Sequence, residues 1–187
     1  FFTKPPTTVI GPGAGIVHHA VTQALDYEVE LAVIVGRAGR DFAEKDALAH
    51  VFGYTVLNDV TARDLQKAHQ QWFKGKSLDT FCPMGPVLVT ADEVPDPQAL
   101  GIRLRVNGQV RQEATTGQMI FGVAALLSTL AAGLTLEPGD ILATGTPSGV
   151  GAATGAYLKV GDQVEAEIDG LGSLTNPVIA PGSPKAR

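Results

Sequence analysis

The sequence predicts a β-rich α+β domain, and three observations carry that expectation. Short apolar runs, alternating or continuous, recur along the chain. Few segments keep the 3.6-residue period of a helix. The 22 glycines fall mostly at the corners between runs, where turns are needed.

Taken in order, Val9–Ile10 and Ile16–His18 flank a turn at Gly11–Pro12–Gly13–Ala14–Gly15. Tyr27 to Val35 alternates as a strand, and Glu44–His50 is a short helix. Phe52–Asp59 reads as a second buried strand. Thr61 followed by Asp64 resembles a capping box, which should start a helix carrying Arg63, Leu65, Gln66 and Lys67. Val87–Thr90 is a further strand. Ile102–Val106 and Val110–Glu113 form a hairpin closed by Asn107–Gly108, a pair that accepts the positive φ of a tight turn. Gly122–Gly133 is the main helix. Pro138–Gly139–Asp140 and Val160–Gly161–Asp162 are turns that feed strands at Ile141–Thr144 and Gln163–Ile168. Residues 1–177 are expected to form one domain, and the Pro/Gly-rich end, 178–187, a flexible tail that starts near Pro177.

Composition narrows the function classes. At 187 residues and 44% hydrophobic, the chain can bury a sizeable core. A formal net charge of −5 argues against a nucleic-acid footprint and against an anionic membrane surface. Ala114 to Leu136 lacks formal charge over a length that could span a bilayer, but its many Thr, Gly and Ser interruptions favour a buried helix. Cys82 is the single cysteine, so no disulfide framework exists and a reducing, cytoplasmic compartment is expected. Cys82 itself reads as an inert core residue. Phe1 to Pro6 contains no apolar signal-peptide core, and the missing initiator methionine points to a longer natural chain.

The Tyr27–Val35 strand poses the functional question. Tyr27, Val29, Leu31, Val33 and Val35 share one face; Glu28, Glu30, Ala32 and Ile34 share the other. Two carboxylates therefore stand about 7 Å apart on a face that turns apolar beyond them. Buried carboxylates cost several kcal/mol each (roughly) unless a cation or proton compensates them. The next strand ends in Asp59, well placed to meet the pair. Two Glu and one Asp offer three hard oxygen ligands, suited to Mg²⁺ or Mn²⁺, with Ca²⁺ a further candidate, and the chain holds no Cys/His cluster of zinc spacing. Spacing alone leaves a second reading open, a solvated strand face with both glutamates in water.

The segments DYEVELAVIVG, GYTVLNDVTARDLQ, GKSLDTFCPMGPVL, VNGQVRQ and LEPGDILATGTPSGVG, in this order, resemble the catalytic domain of the fumarylacetoacetate hydrolase family from Lys4 to about Asn176. That resemblance implies mixed β-sheets rolled around a metal site, and a homodimer. It implies that Glu28, Glu30 and Asp59 are the metal ligands and that Arg63 and Gln66 line the substrate pocket. By the same resemblance, Lys76 in GKS holds the substrate's carboxylate or enolate oxygen, and Thr146 in GTPSG binds the substrate carboxylate. The substrate implied is a small 2-oxo or β-diketo acid. The family's hydrolytic base, a His/Glu pair on an N-terminal lid, is expected upstream of the Phe1–Pro6 stretch. His18, His19, His50 and His69 read as structural or surface residues.

Three activities fit these expectations. The first is metal-dependent cleavage of a C–C bond in an acylpyruvate-like or β-diketo acid. The second is decarboxylation of a 2-oxo acid or isomerisation of a 2-hydroxydienedioate. Both pass through a stabilised enolate and differ in how the proton moves. The third is metal binding without catalysis.

Overall fold

The computed structural model describes residues 1–183. In chain order the strands and helices are β1 (Val9–Ile10), β2 (Ile16–Val17), β3 (Leu25–Asp26), β4 (Val29–Val35), β5 (Val51–Asn58), β6 (Thr61–Ala62), α1 (Arg63–Ala68), α2 (Phe73–Lys76) and β7 (Cys82–Thr90). They continue with β8 (Gly101–Val106), β9 (Gln109–Thr115), α3 (Val123–Ala131), β10 (Ile141–Ala143), α4 (Gly151–Thr154), β11 (Gln163–Ile168) and β12 (Gly172–Ile179). The expected β-rich α+β class is what the chain adopts.

Two five-stranded sheets enclose the core, ordered β1-β7-β5-β4-β10 and β2-β12-β11-β8-β9, with β3 and β6 forming a small third ladder. Strand β4 is the hinge of the arrangement because both of its faces are buried. Tyr27, Val29, Leu31, Val33 and Val35 point into the main core, which the second sheet fills from the other side with Leu104, Val164, Ala166 and Leu174. Ala32, on the glutamate face, belongs to a separate small cluster with Leu57 and Cys82, and Met84 and Ala143 pack against it. The apolar continuation of that face is thus a floor beside the carboxylates. Helix α3 lies against the Glu44–His50 turn, where the Ser128 hydroxyl donates to the Phe42 carbonyl at 2.9 Å.

The hairpin forms as expected, with Asn107 and Gly108 both at positive φ. The capping box at Thr61 does not. Helix α1 starts after Ala62 with no side-chain cap. Thr61 pairs in a strand with Asp26, and its hydroxyl donates to the Asp59 carbonyl. Asp64 instead accepts from the Thr22 hydroxyl at 2.6 Å and the Gln23 amide at 2.8 Å. Tertiary partners outcompeted the local cap. The tail expectation also needs correction: Pro177, Val178 and Ile179 complete β12, where Val178 is buried. Residues 184–187 of that expected tail lie outside the described residues. β7 begins at Cys82, five residues before the expected strand, because Pro83 and Pro86 mask its pattern. Among the described residues no helix is long and apolar enough to cross a membrane.

Cys82 is 5% exposed, and burial pushes its thiol up to about 11. At pH 8 only roughly 0.1% is thiolate, the reactive form. A thiol reagent such as DTNB should therefore find no fast-reacting thiol in the folded protein and a full equivalent after denaturation. Rapid labelling of the native protein would show that the β1–β7 pairing at Cys82 opens to solvent.

Candidate metal centre

The β4–β5 ladder builds the centre. Val29 pairs with Asn58 and Glu30 with Leu57. Just beyond the ladder, the Asp59 amide donates to the Glu28 carbonyl at 2.8 Å, and the Glu28 amide donates to the Asn58 side chain at 2.9 Å. These bonds set Asp59 opposite the glutamate pair. One carboxylate oxygen from each of Glu28, Glu30 and Asp59 lies within 4.8 Å of the others, and all three residues are buried. The open alternative of a solvated face is thereby excluded.

Three cations surround the cluster. Lys76, 2% exposed, donates to Glu28 at 2.7 Å and Asp59 at 2.6 Å. Lys4 donates to the other Asp59 oxygen at 2.5 Å and to the Lys76 carbonyl. Arg63 pairs with Glu28 through one guanidinium nitrogen and with Asp26 at 2.8 Å through Nε. Burial lowers the Arg63 affinity for its proton, but Glu28 and Asp26 outweigh it and raise the guanidinium above its ordinary value. Glu30 differs. Among the described residues it has no cationic partner in direct contact and accepts only the Gly145 amide, at 2.7 Å. Burial first, then Asp59 and Glu28, hold its carboxyl well above the ordinary range, against the pull of Gly145 and Lys76.

Helix geometry brings the remaining expected residues together. Arg63 and Gln66 are one turn apart on α1, and Arg63 donates to the Gln66 side-chain oxygen at 3.2 Å. Gly75 allows α2 to lie directly on α1, since a Cβ there would stand 2.6 Å from the Gln66 amide nitrogen. That approach carries Lys76 inward. Thr146 sits beside Gly145, but its hydroxyl donates to the Val29 carbonyl and accepts from Gln112. No described histidine joins the cluster. His19 donates to the Asp79 carbonyl, and His50 stacks on Phe42.

Four contributors were missed from sequence. Lys4 reaches Asp59 across 55 residues. Asp26, fully buried, accepts from Arg63 and from the Gly151 and Ala152 amides. Asn58 holds the Glu28 amide, and Gln112 holds the Val29 amide at 3.0 Å. Asp26, Asn58 and Gln112 lie within the segments that carry the family resemblance, but nothing in those segments named their partners.

The donor set is three hard oxygens without nitrogen or sulfur, and Glu30 has no cation of its own. Both features fit a hard divalent ion. Residues 1–179 match the family described as fumarylacetoacetate (FAA) hydrolase C-terminal. The chain belongs to the fumarylacetoacetate hydrolase family. This family member is 52% identical over 180 residues to the oxaloacetate tautomerase YisK of Bacillus subtilis (strain 168), covering 95% of this chain and 60% of that protein. It is 45% identical over 182 residues to the mitochondrial oxaloacetate tautomerase FAHD2A of Homo sapiens, covering 95% of this chain and 58% of that protein. Among solved structures, a fumarylacetoacetate hydrolase from psychrophilic Exiguobacterium antarcticum superposes with a TM-score of 0.93 at 52% identity, over 96% of this chain and 65% of that one. A 2-hydroxyhepta-2,4-diene-1,7-dioate isomerase from Mycobacterium marinum gives 0.90 at 43% identity, over 97% of this chain and 69% of that one. The chain spans about 60% of the length of the curated relatives it matches.

A cation that binds only the folded state stabilises it, by about 2.7 kcal/mol at a hundred times its Kd. Mg²⁺ or Mn²⁺ should therefore raise the melting temperature of the wild type, and a chelator should reverse the rise. Glu30→Gln should abolish the response without unfolding the protein. A melting curve indifferent to both metals would count against the centre.

Proposed function

We propose that this chain is the metal-holding part of an enzyme that moves a proton within a small 2-oxo acid through its enolate. The favoured reaction is keto–enol interconversion of an oxaloacetate-like diacid. One observation carries the reading: the buried ammonium of Lys76 is fixed against the carboxylate cluster, bonded to both Glu28 and Asp59. The proteins named oxaloacetate tautomerases, at 52% and 45% identity, support the choice of reaction.

The cluster would hold Mg²⁺ or Mn²⁺, which supplies Lewis-acid polarisation of a 2-oxo group when bound. The chain's own residues do the rest. Lys76 presents a second positive charge that needs no reorganisation as negative charge grows on the substrate oxygen. Arg63 fixes Glu28 and orients Gln66, so the α1 face offers an amide beside the acid. The Thr146 hydroxyl proton is engaged by Val29, so a substrate carboxylate at this loop meets the Thr146 backbone amide, for which no acceptor is found among the described residues. Exclusion of water follows from burial: Lys76 is covered by the Phe2 ring, whose centroid lies 5.2 Å from its ammonium.

Hydrolytic C–C cleavage of an acylpyruvate-like acid is the second reading, favoured by the structural likeness to a fumarylacetoacetate hydrolase. It needs the same enolate and adds a base that activates water. A homodimer and a cytoplasmic setting belong to the same proposal, supported by the exposed apolar pair Ile120 and Phe121 and by the single, buried cysteine.

The test follows the ultraviolet absorbance of enol-oxaloacetate as it converts to the keto form. With Mg²⁺ the wild type should accelerate the conversion and leave acylpyruvates intact. Lys76→Met should retain metal binding and slow turnover by roughly 100- to 1,000-fold, as for loss of an electrostatic stabiliser. Acylpyruvate hydrolysis without enol conversion would select the second reading. An unchanged rate in Lys76→Met would reduce that residue to a structural ion pair.

A further inference from the structure

We propose that Gln112 is a positioning residue for this site, a side-chain substitute for a missing strand that locks the Gly145–Pro147 loop against β4. The proposal rests on the 2-oxo acid reading above and concerns a residue of the second sheet that reaches the backbone between Glu28 and Glu30.

The β4–β10 ladder is short. β10 pairs with β4 only from Ile141 opposite Ile34 to Ala143 opposite Ala32, and the Thr144 amide then donates to the Leu31 carbonyl at 3.1 Å. Val29, two residues on, turns its amide and carbonyl to the same edge, where β10 has already left. Both groups are buried and need partners. The Gln112 oxygen accepts the Val29 amide at 3.0 Å, and the Thr146 hydroxyl donates to the Val29 carbonyl at 2.9 Å. Gln112 then closes the arrangement, because its nitrogen donates to the Thr146 hydroxyl and to the Pro147 carbonyl, each at 2.8 Å.

The Gln112 amide and the Thr146 hydroxyl it holds thus share the acceptor and donor work of a strand residue while β10 is free to diverge. The divergence is functional. It lets the Gly145 amide turn onto Glu30 instead of continuing the ladder. Because the nitrogen of Gln112 only donates, it also sets the rotor of the Thr146 hydroxyl, directing that proton to Val29.

The location of Gln112 shows that it is built for this task. Its strand, β9, is otherwise mostly exposed, whereas Gln112 is 1% exposed and each hydrogen bond of its side chain goes to β4 or to the Gly145–Pro147 loop. Gly149 brings the far end of the loop onto the same strand, since a Cβ there would overlap the Arg111 carbonyl oxygen. β4 is also held by β5 along its other edge, through Val29–Asn58 and Glu30–Leu57. The loop has no second strand. Loss of Gln112 should accordingly loosen the loop far more than it moves the glutamates.

The experiment compares wild type with Gln112→Met, which keeps the length and removes all three hydrogen bonds. Mg²⁺ binding and Mg²⁺-dependent oxalate binding are measured by calorimetry, oxalate serving as a chelating 2-oxo acid mimic. In Gln112→Met the Kd for Mg²⁺ alone should change by less than about 3-fold, while the Kd for oxalate should rise by about 10-fold or more. Hydrogen exchange in the protein without ligand should quicken at the Val29 and Gly145 amides and stay constant along β5. Gln112→Glu, which keeps the acceptor for Val29 but has no donor for Pro147, should fall between the two; it carries the test if the methionine variant is unstable. Unaltered oxalate affinity together with unaltered loop exchange would overturn the role of Gln112. If wild type itself fails to bind oxalate with Mg²⁺, the 2-oxo acid reading falls, and loop exchange alone then decides whether Gln112 holds the loop.

Discussion

Mutual repulsion among three buried carboxylates is the constraint on which the rest of the structure depends. With their oxygens within 4.8 Å of one another and an effective dielectric near 20, each pair of full charges repels by about 3–4 kcal/mol. Three such pairs rival the whole stability of a domain, roughly 5–15 kcal/mol. The fold answers by bringing positive charge from three distant stretches: Lys4 from the first residues, Arg63 from α1 and Lys76 from α2. Asp26 in turn holds Arg63 and caps the start of α4. The compensation is uneven. Glu28 and Asp59 are each matched by two cations, and Glu30 by none in contact. The unmatched negative charge sits where a divalent ion would complete the set.

That unevenness links stability to function. A site neutralised by its own lysines would hold no ion, and one without lysines would not fold readily around three acids. Here the lysines and arginine engage both oxygens of Glu28 and both of Asp59, and Glu30 faces the cluster supported only by a backbone amide. The two sheets make this possible because β4 is buried on both faces. Its core face supplies the apolar burial, and its other face carries the acids onto the small Ala32, Leu57 and Cys82 floor. A flexible strand could not keep like charges this close.

Much of this was legible in the sequence because it is local. Alternation placed Glu28 and Glu30 on one face of a strand, and the abrupt end of an apolar run placed Asp59 at the start of a turn. Asn107–Gly108 announced its hairpin. The ordered motifs carried the resemblance that singled out Arg63, Gln66, Lys76 and Thr146, and the structure brings the first three to the cluster's edge. What failed was non-local. Thr61 and Asp64 have the composition of a cap, yet β3 and Thr22 claimed them. Pro177 reads as a tail residue, yet it stands opposite Gln163 in a ladder whose other members carry the pairing. Lys4, Asp26 and Gln112 act across 55, 125 and 83 residues of chain, and periodicity holds no record of such meetings.

The arrangement of Glu28, Glu30 and Asp59 calls for one shared divalent cation. Crystals grown with Mn²⁺ and measured at the manganese absorption edge test it most directly, because the anomalous signal locates the ion independently of any assumption about the site. A single strong peak is expected about 2.0–2.3 Å from one oxygen of each carboxylate, with the remaining positions open to water or a chelating acid. A peak bound elsewhere, or Lys76 and Lys4 remaining on the carboxylates at saturating Mn²⁺ with no peak among them, would contradict it.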